Sequence, residues 1–171
     1  MGRSLILGVS VDKMTMDSVL DRIHGAISSR SALSIGVVNA AKLVNMNADP
    51  TLREDVASSD LVLADGMAVV WASRLLGDPL PERVSGIDLM HGMMERGNEH
   101  GYRFYLFGAK EEVSEAVERE MGKLYPNAIV AGRRNGYFST DEEQTIARDI
   151  ADSKADILLV AITSPIKERF M

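Results

Sequence analysis

Short runs rich in apolar and β-branched residues alternate along this chain with longer segments of helical period. That alternation restricts the fold more than any other feature, because it is the pattern of an α/β protein with a parallel sheet covered by helices on both faces. Ser4 to Val11 reads as a first strand, and Asp17 to Ser28 as an amphipathic helix carrying Val19, Leu20, Ile23 and Ile27 on one face. Leu33 to Val38 reads as a strand, Ala40 to Asn47 as a helix, and Asp49-Pro50 as a cap leading into a second short helix. Leu61 to Ala64 is a short buried strand, and Met67, Val70, Trp71 and Leu75 fall at helical spacing directly after Asp65-Gly66. A loop over Gly77 to Pro81 precedes a helix from Gly86 to Glu99, ended by Gly101. The second half repeats the logic. Strands are expected at Arg103 to Phe107, Ala128 to Ala131 and Asp156 to Thr163, the last apolar enough to be buried on both faces. Between them lie a helix from Glu111 to Leu124, a loop through Phe138, and a helix opened by Ser139 or Thr140 with Asp141, Glu142 and Glu143 at its positive end.

With 171 residues, 46% of them hydrophobic, the chain can bury a sizeable core, and residues 1–171 are read as one domain. It contains no cysteine, which rules out disulfides and thiolate metal sites. No stretch approaches the roughly 20 apolar residues of a spanning helix. A net charge of -6 without a clustered basic surface argues against nucleic acid as a partner. His24, His91 and His100 have no ligand spacing and read as helix-surface residues, so no metal site is expected.

Ligands of open parallel sheets bind outside the carboxyl ends of the strands. Four places qualify: Asn39, Asp65-Gly66, Gly108-Ala109 and Thr163-Ser164. A carboxylate at a strand end is partly desolvated, which tends to raise its pKa toward the range of a base for a sugar hydroxyl, and this singles out Asp65. Asp-Gly is also a hairpin signal, and Asp65 is equally suited to cap the next helix. Asn39 reads first as a helix cap and second as a ligand contact. Arg83, in the loop PLPERVSG, has the guanidinium that neutralises a diphosphate by bidentate contact, although most loop arginines are merely solvated. Gly108-Ala109 offers backbone N–H groups to a phosphate where a helix begins. Tyr137 suits stacking on a nucleobase or plugging a sheet edge. Neither GxGxxG nor GxxxxGK[ST] is present, which disfavours a nicotinamide-dependent oxidoreductase and a P-loop.

In order, the segments VVNAAKLVNMN, SSDLVLADGMAVVWASRLLG, PERVSGIDLM, FYLFGAKEEV, LYPNAIVAGRRNGYFS and DILLVAITSPIKE resemble the WecG/TagA/CpsF glycosyltransferases over nearly the whole chain. The resemblance implies an inverting transfer, without metal or cofactor, from a UDP-sugar to a lipid-diphosphate-linked amino sugar. The example is N-acetylmannosamine transfer to undecaprenyl-diphosphate N-acetylglucosamine in teichoic acid synthesis. It implies work at the cytoplasmic face of the membrane. It sets Asp65 on the family's proposed general base, Asn39 on its strand-end asparagine and Arg83 on its arginine near the diphosphate. Gly66, Gly108, Ala109, Tyr137, Ser164 and Glu168 then fall among the substrate contacts. Many members have a small hydroxyl residue at the position of Val37, and PKQE where this chain has Pro165, Ile166, Lys167 and Glu168.

The family continues for several dozen residues past the position of Met171, into a basic segment implied to contact membrane and diphosphate. Pro165 reads as the first residue of a helix that has barely begun when the sequence stops. The expectation is therefore a chain lacking that segment, with an incomplete edge open to self-association, weak UDP binding and poor transfer by itself. A non-catalytic nucleotide-sugar-binding or scaffold domain of the same fold is the alternative.

Overall fold

The computed structural model describes residues 2–171, which form two compact units, one ending at Leu89 and the other beginning at Met90. The first unit opens with antiparallel strands β1 (Arg3–Ile6) and β2 (Val9–Asp12), with Ile6 opposite Val9. The single strand expected over Ser4 to Val11 is therefore a hairpin. Its turn places Leu7 at φ 48° and Gly8 at φ 77°, the doubly positive geometry that matches strand twist. A leucine in the first of these positions gives no turn signal in the sequence.

Helix α1 (Met16–Ser29) follows, capped by Thr15, and buries Val19, Leu20, Ile23 and Ala26. Strands β3 (Ile35–Val38) and β4 (Leu61–Ala64) pair in parallel, with Val38 opposite Ala64. The crossover between them is α2 (Ala40–Ala48), capped by Asn39, and α3 (Pro50–Ala57), capped by Asp49 with Pro50 in the first turn. Helix α4 (Met67–Leu75) leaves the end of β4 and turns Val69, Val70 and Ser73 inward. The helix stands where the spacing of Met67, Val70, Trp71 and Leu75 places it, but of those four only Val70 is buried; Met67, Trp71 and Leu75 are exposed. The helix is apolar on two faces, so periodicity alone does not distinguish the face that packs.

Polar clips fix how these strands align. Ser34 donates its N–H and hydroxyl to Asp60 Oδ2 at 2.8 and 2.9 Å, and accepts the Asp60 N–H at 3.0 Å. The start of β3 is thus held against the start of β4. Asp12, only 6% exposed, accepts the buried Val62 N–H at 2.8 Å and Arg3 Nε at 2.8 Å, which ties the hairpin to β4. A buried N–H left without that acceptor would cost about 1–3 kcal/mol. The enclosed cluster includes Ile6, Val11, Val38, Met46, Val56, Val62 and Val70.

Helix α5 (Gly86–His100) starts in the first unit and continues into the second, ending at Gly101, whose φ is 69°. The second unit is a parallel sheet in the order β6 (Ile129–Arg134), β5 (Arg103–Gly108), β7 (Ile157–Ala161). Helix α6 (Glu111–Leu124) joins β5 to β6, and α7 (Glu143–Asp152) joins β6 to β7. Ser139 forms a capping box with Glu142 around a 3-10 turn, Thr140–Glu142, that runs into α7. The short α8 (Ile166–Phe170) comes last.

Three readings of this half need correction. The strand buried along its length is β5, in the centre. β7 has a described partner only on its β5 side, so Leu158 and Ala161 are exposed rather than buried on both faces. β6 runs three residues past Ala131, because Arg133 and Arg134 keep pairing with Leu106 and Phe107 while glutamates take their charges. Pro165 stands at the cap of α8 rather than in its first turn. The parallel, helix-covered strands of both units are those of a Rossmann-like α/β fold. No helix among the described residues is long and apolar enough to cross a membrane.

Two stability predictions follow from this geometry. A Cβ on Gly108, at φ 127°, would lie 2.3 Å from the Ala161 carbonyl oxygen, whereas one on Gly122 in α6 would meet nothing within 4 Å. Gly108→Ala should lower unfolding free energy in denaturant titrations by about 2–4 kcal/mol, and Gly122→Ala should raise it by about 0.5–1 kcal/mol. Hydrogen bonds from the Ser34 backbone and hydroxyl hold the Asp60 carboxyl below its ordinary pKa. A depressed folded pKa gives stability that is present above the unfolded value near ~3.9 and lost as pH falls through the folded one. The stability gap between the parent and Asp60→Asn should be constant near neutrality and close in strong acid, as read by melting at graded pH.

Candidate functional site

Parallel register brings two of the expected residues together at the carboxyl end of the first unit's strands. Val38 faces Ala64, so the next residues, Asn39 and Asp65, leave adjacent strands side by side. The Asp65 N–H extends the ladder by donating to Val38 O at 2.8 Å. Gly66 follows closely enough that a Cβ there would stand 3.8 Å from the Asn39 Cβ. A third expected residue is brought in by the loop before α5. Val84, buried, donates its N–H to Ala64 O at 2.9 Å, which moors that loop to the last residue of β4 and sets Arg83 beside it in the chain.

Each side chain has a distinct state. Asn39 Oδ1 accepts the Lys42 N–H at 2.9 Å, the cap expected of it, and no hydrogen bond among the described residues engages its Nδ2. Asp65 is half-buried. Gly66, not Asp65, occupies the cap of α4, and α4 itself excludes the hairpin that Asp-Gly suggests. Among the described residues no hydrogen bond or ion pair engages the Asp65 carboxylate. Arg83 is exposed and forms an ion pair through Nη2 with Asp88 Oδ2.

In the second unit the expected residues also lie at strand ends, with different outcomes. Gly108 closes β5 against Ala161, and Ala109, at φ 58°, donates its N–H to Ala161 O at 2.9 Å. That N–H is therefore not presented to a phosphate, as the Gly108-Ala109 turn was expected to do; the left-handed turn uses it to tie β5 to β7. Tyr137 is 69% exposed, which removes the edge-plugging alternative. Its ring, with Lys110, Glu111, Glu112 and Asn135, lines an open depression of about 400 Å³ at the start of α6. Hydrogen bonds from Arg133, then from Asn135, hold the Glu111 carboxyl below its ordinary range, so it stays charged. Arg133 also reaches Glu115 at 3.2 Å and Glu118 at 2.8 Å. Ser164 is exposed just past β7. The Glu168 side chain is only 6% exposed, with its Oε1 3.6 Å from Lys167 Nζ. His24 lies half-buried on α1, and His91 and His100 are exposed on α5.

With the strand-end acid, asparagine and arginine in place, likeness to known proteins decides the family. The profile of the glycosyl transferase WecG/TagA/CpsF family matches residues 4–171. The chain belongs to this family. An N-acetylglucosaminyldiphosphoundecaprenol N-acetyl-beta-D-mannosaminyltransferase of Bacillus subtilis (strain 168) is 33% identical over 116 residues, 68% of this chain and 44% of that protein. The protein of the same name from Bacillus spizizenii is 32% identical over 124 residues, 72% of this chain and 47% of its own length. The one from Staphylococcus aureus (strain MRSA252) is 30% identical over 168 residues, 97% of this chain and 65% of its own length. The chain thus spans between about half and two thirds of these relatives.

Within each unit, neighbours of the expected site residues escaped the sequence reading. Ser85 and Asp88 fix Arg83, and their Ser-x-x-Asp spacing is a recognisable helix-start pattern. Asn135 and Glu111, 24 positions apart, meet only through the fold and carry no local signal.

If Asp65 and Tyr137 serve ligands rather than the fold, removing them should be structurally silent. Asp65→Asn and Tyr137→Ala should each change unfolding free energy by no more than about 0.5 kcal/mol in denaturant titrations. A loss above about 2 kcal/mol at either position would mark it as structural.

Proposed function

We propose that this chain carries the transfer chemistry of an inverting glycosyltransferase. It moves N-acetylmannosamine or a related sugar from a UDP-sugar to a polyprenyl-diphosphate-linked amino sugar in cell-surface polysaccharide or teichoic acid synthesis. The observation that carries this reading is the half-buried Asp65 carboxylate, unengaged at the end of β4 beside Asn39. The activity for which the relatives are named, an N-acetylmannosaminyl transfer onto a diphosphoundecaprenol-linked N-acetylglucosamine, supplies the substrate class.

Asp65 takes the proton of the acceptor hydroxyl as its oxygen attacks the anomeric carbon of the donor. The bond from that carbon to the UDP oxygen breaks, and a single displacement inverts the configuration. Negative charge grows on the departing diphosphate, where the Arg83 guanidinium offers bidentate N–H donors. Asn39 keeps a free amide N–H group for a sugar oxygen while its Oδ1 caps α2. Tyr137, exposed at the start of α6, is assigned to the nucleobase by stacking. The family profile runs unbroken over both units, which supports reading residues 4–171 as one transferase domain. A lipid-linked acceptor confines such an enzyme to a membrane surface, and the cytoplasmic face is where nucleotide sugars are made.

The test is an assay of the full-length protein with UDP-N-acetylmannosamine and a short-chain lipid-diphosphate N-acetylglucosamine. Asp65→Asn should lower kcat by about 10²–10⁴ while UDP affinity, measured by calorimetry, stays within about twofold. A fall of less than tenfold is too small for a lost base and would favour a binding or scaffold domain.

A further inference from the structure

We infer that Asp88, with Ser85, is a positioning residue that holds the Arg83 guanidinium in one orientation beside the end of β4. The inference rests on the role proposed above for Arg83. Three contacts carry it. Asp88 Oδ2 pairs with Arg83 Nη2, the Ser85 hydroxyl donates to the same oxygen at 2.6 Å, and the Asp88 N–H donates back to Ser85 Oγ at 3.2 Å.

The partners differ in what else holds them, and that difference gives the arrangement its direction. Ser85 is 4% exposed, Val84 beside it is buried and bound to Ala64 O, and Asp88 lies in the first turn of α5. Asp88 is thus fixed by a buried serine and a helix. The two side chains are similarly exposed, 42% for Arg83 and 49% for Asp88, but the arginine is longer and has no second hydrogen bond among the described residues. The acid tethered to Ser85 therefore orders the longer base, which has more rotamer freedom to lose. The pairing uses one end of the guanidinium: no hydrogen bond among the described residues engages Nε or Nη1. Those donors stay available to an oxyanion.

An acid beside an anion-binding arginine also offsets part of its charge. The two effects predict opposite outcomes when Asp88 is neutralised. If orientation dominates, transfer slows; if charge offset dominates, transfer speeds up and nucleotide binds more tightly. Orientation should dominate because diphosphate contact is directional, and a small misplacement of a reacting group can cost large factors in rate.

The experiment measures kcat, KM for the UDP-sugar and UDP affinity for Asp88→Asn, Asp88→Glu, Arg83→Ala and the Arg83→Ala/Asp88→Asn pair in the full-length protein. Asp88→Asn should lower kcat roughly tenfold with KM changed by less than about threefold, and Asp88→Glu should recover part of the loss. In the Arg83→Ala background, Asp88→Asn should add less than about a twofold effect, since there is no guanidinium left to orient. An equal loss in both backgrounds would reduce Asp88 to a helix cap and overturn the inference. So would unchanged or faster transfer by Asp88→Asn. Should Arg83→Ala itself leave kcat intact, the role of Arg83 fails first, and the two failures are told apart. Should Asp88→Asn not fold, Asp88→Glu decides alone, with full activity counting against a positional role.

Discussion

The parallel register of β3 and β4 is the constraint on which the first unit depends. A parallel pair has no tight turn to set its alignment, so the alignment must come from elsewhere. Here it comes from Ser34 and Asp60, which exchange three hydrogen bonds where the two strands begin. A slip of one residue would turn every side chain to the opposite face and separate Asn39 from Asp65 at the far end. The Asp12 carboxylate adds a second lock from the hairpin side by accepting the Val62 N–H. Residues at one end of the strands thus determine the geometry at the other, five residues along, where the chemistry is proposed to occur.

The acids of this unit sort themselves by what engages them. Asp12 and Asp60 align strands, Asp49 caps α3, Asp78 pairs with Lys13, and Asp88 holds Arg83 and Ser85. All five are explained by the fold. Asp55 and Asp65 are half-buried without such a partner among the described residues, and of the two it is Asp65 that stands at the edge where parallel sheets bind ligands. Placing a carboxylate there costs solvation and returns no structural contact, which supports the catalytic role proposed for it.

Much of this was legible in the sequence, and the exceptions have physical causes. Helix starts were readable because caps have side-chain chemistry: Asn39, Asp49 and Ser139 each stand where a helix or its leading turn begins. The hairpin at Leu7-Gly8 was not, because its turn depends on backbone angles that a leucine does not advertise. The exchange of β5 and β7 as the buried strand has a related origin, since an apolar run looks the same whether it has one neighbour or two. The strand-end positions of Asp65 and Asn39 could be read from apolar runs alone. That Arg83 is oriented by Asp88, and that Ala109 has already committed its N–H, depended on contacts between residues the sequence does not bring into one motif.

The same commitment explains what the second unit's depression is suited to hold. With the Ala109 N–H bonded to Ala161 O and Arg133 surrounded by three glutamates, Lys110 is the one cation lining the depression among the described residues, against Glu111 and Glu112. Opposed charges of that kind repel a phosphate about as well as they attract one, and solvent at an open rim weakens both effects. An aromatic ring is indifferent to this balance. It gains from stacking on the exposed Tyr137 face and from the amide of Asn135, groups that recognise a planar base by shape and hydrogen bonding. The electrostatics of the depression therefore favour the base of a nucleotide over its diphosphate.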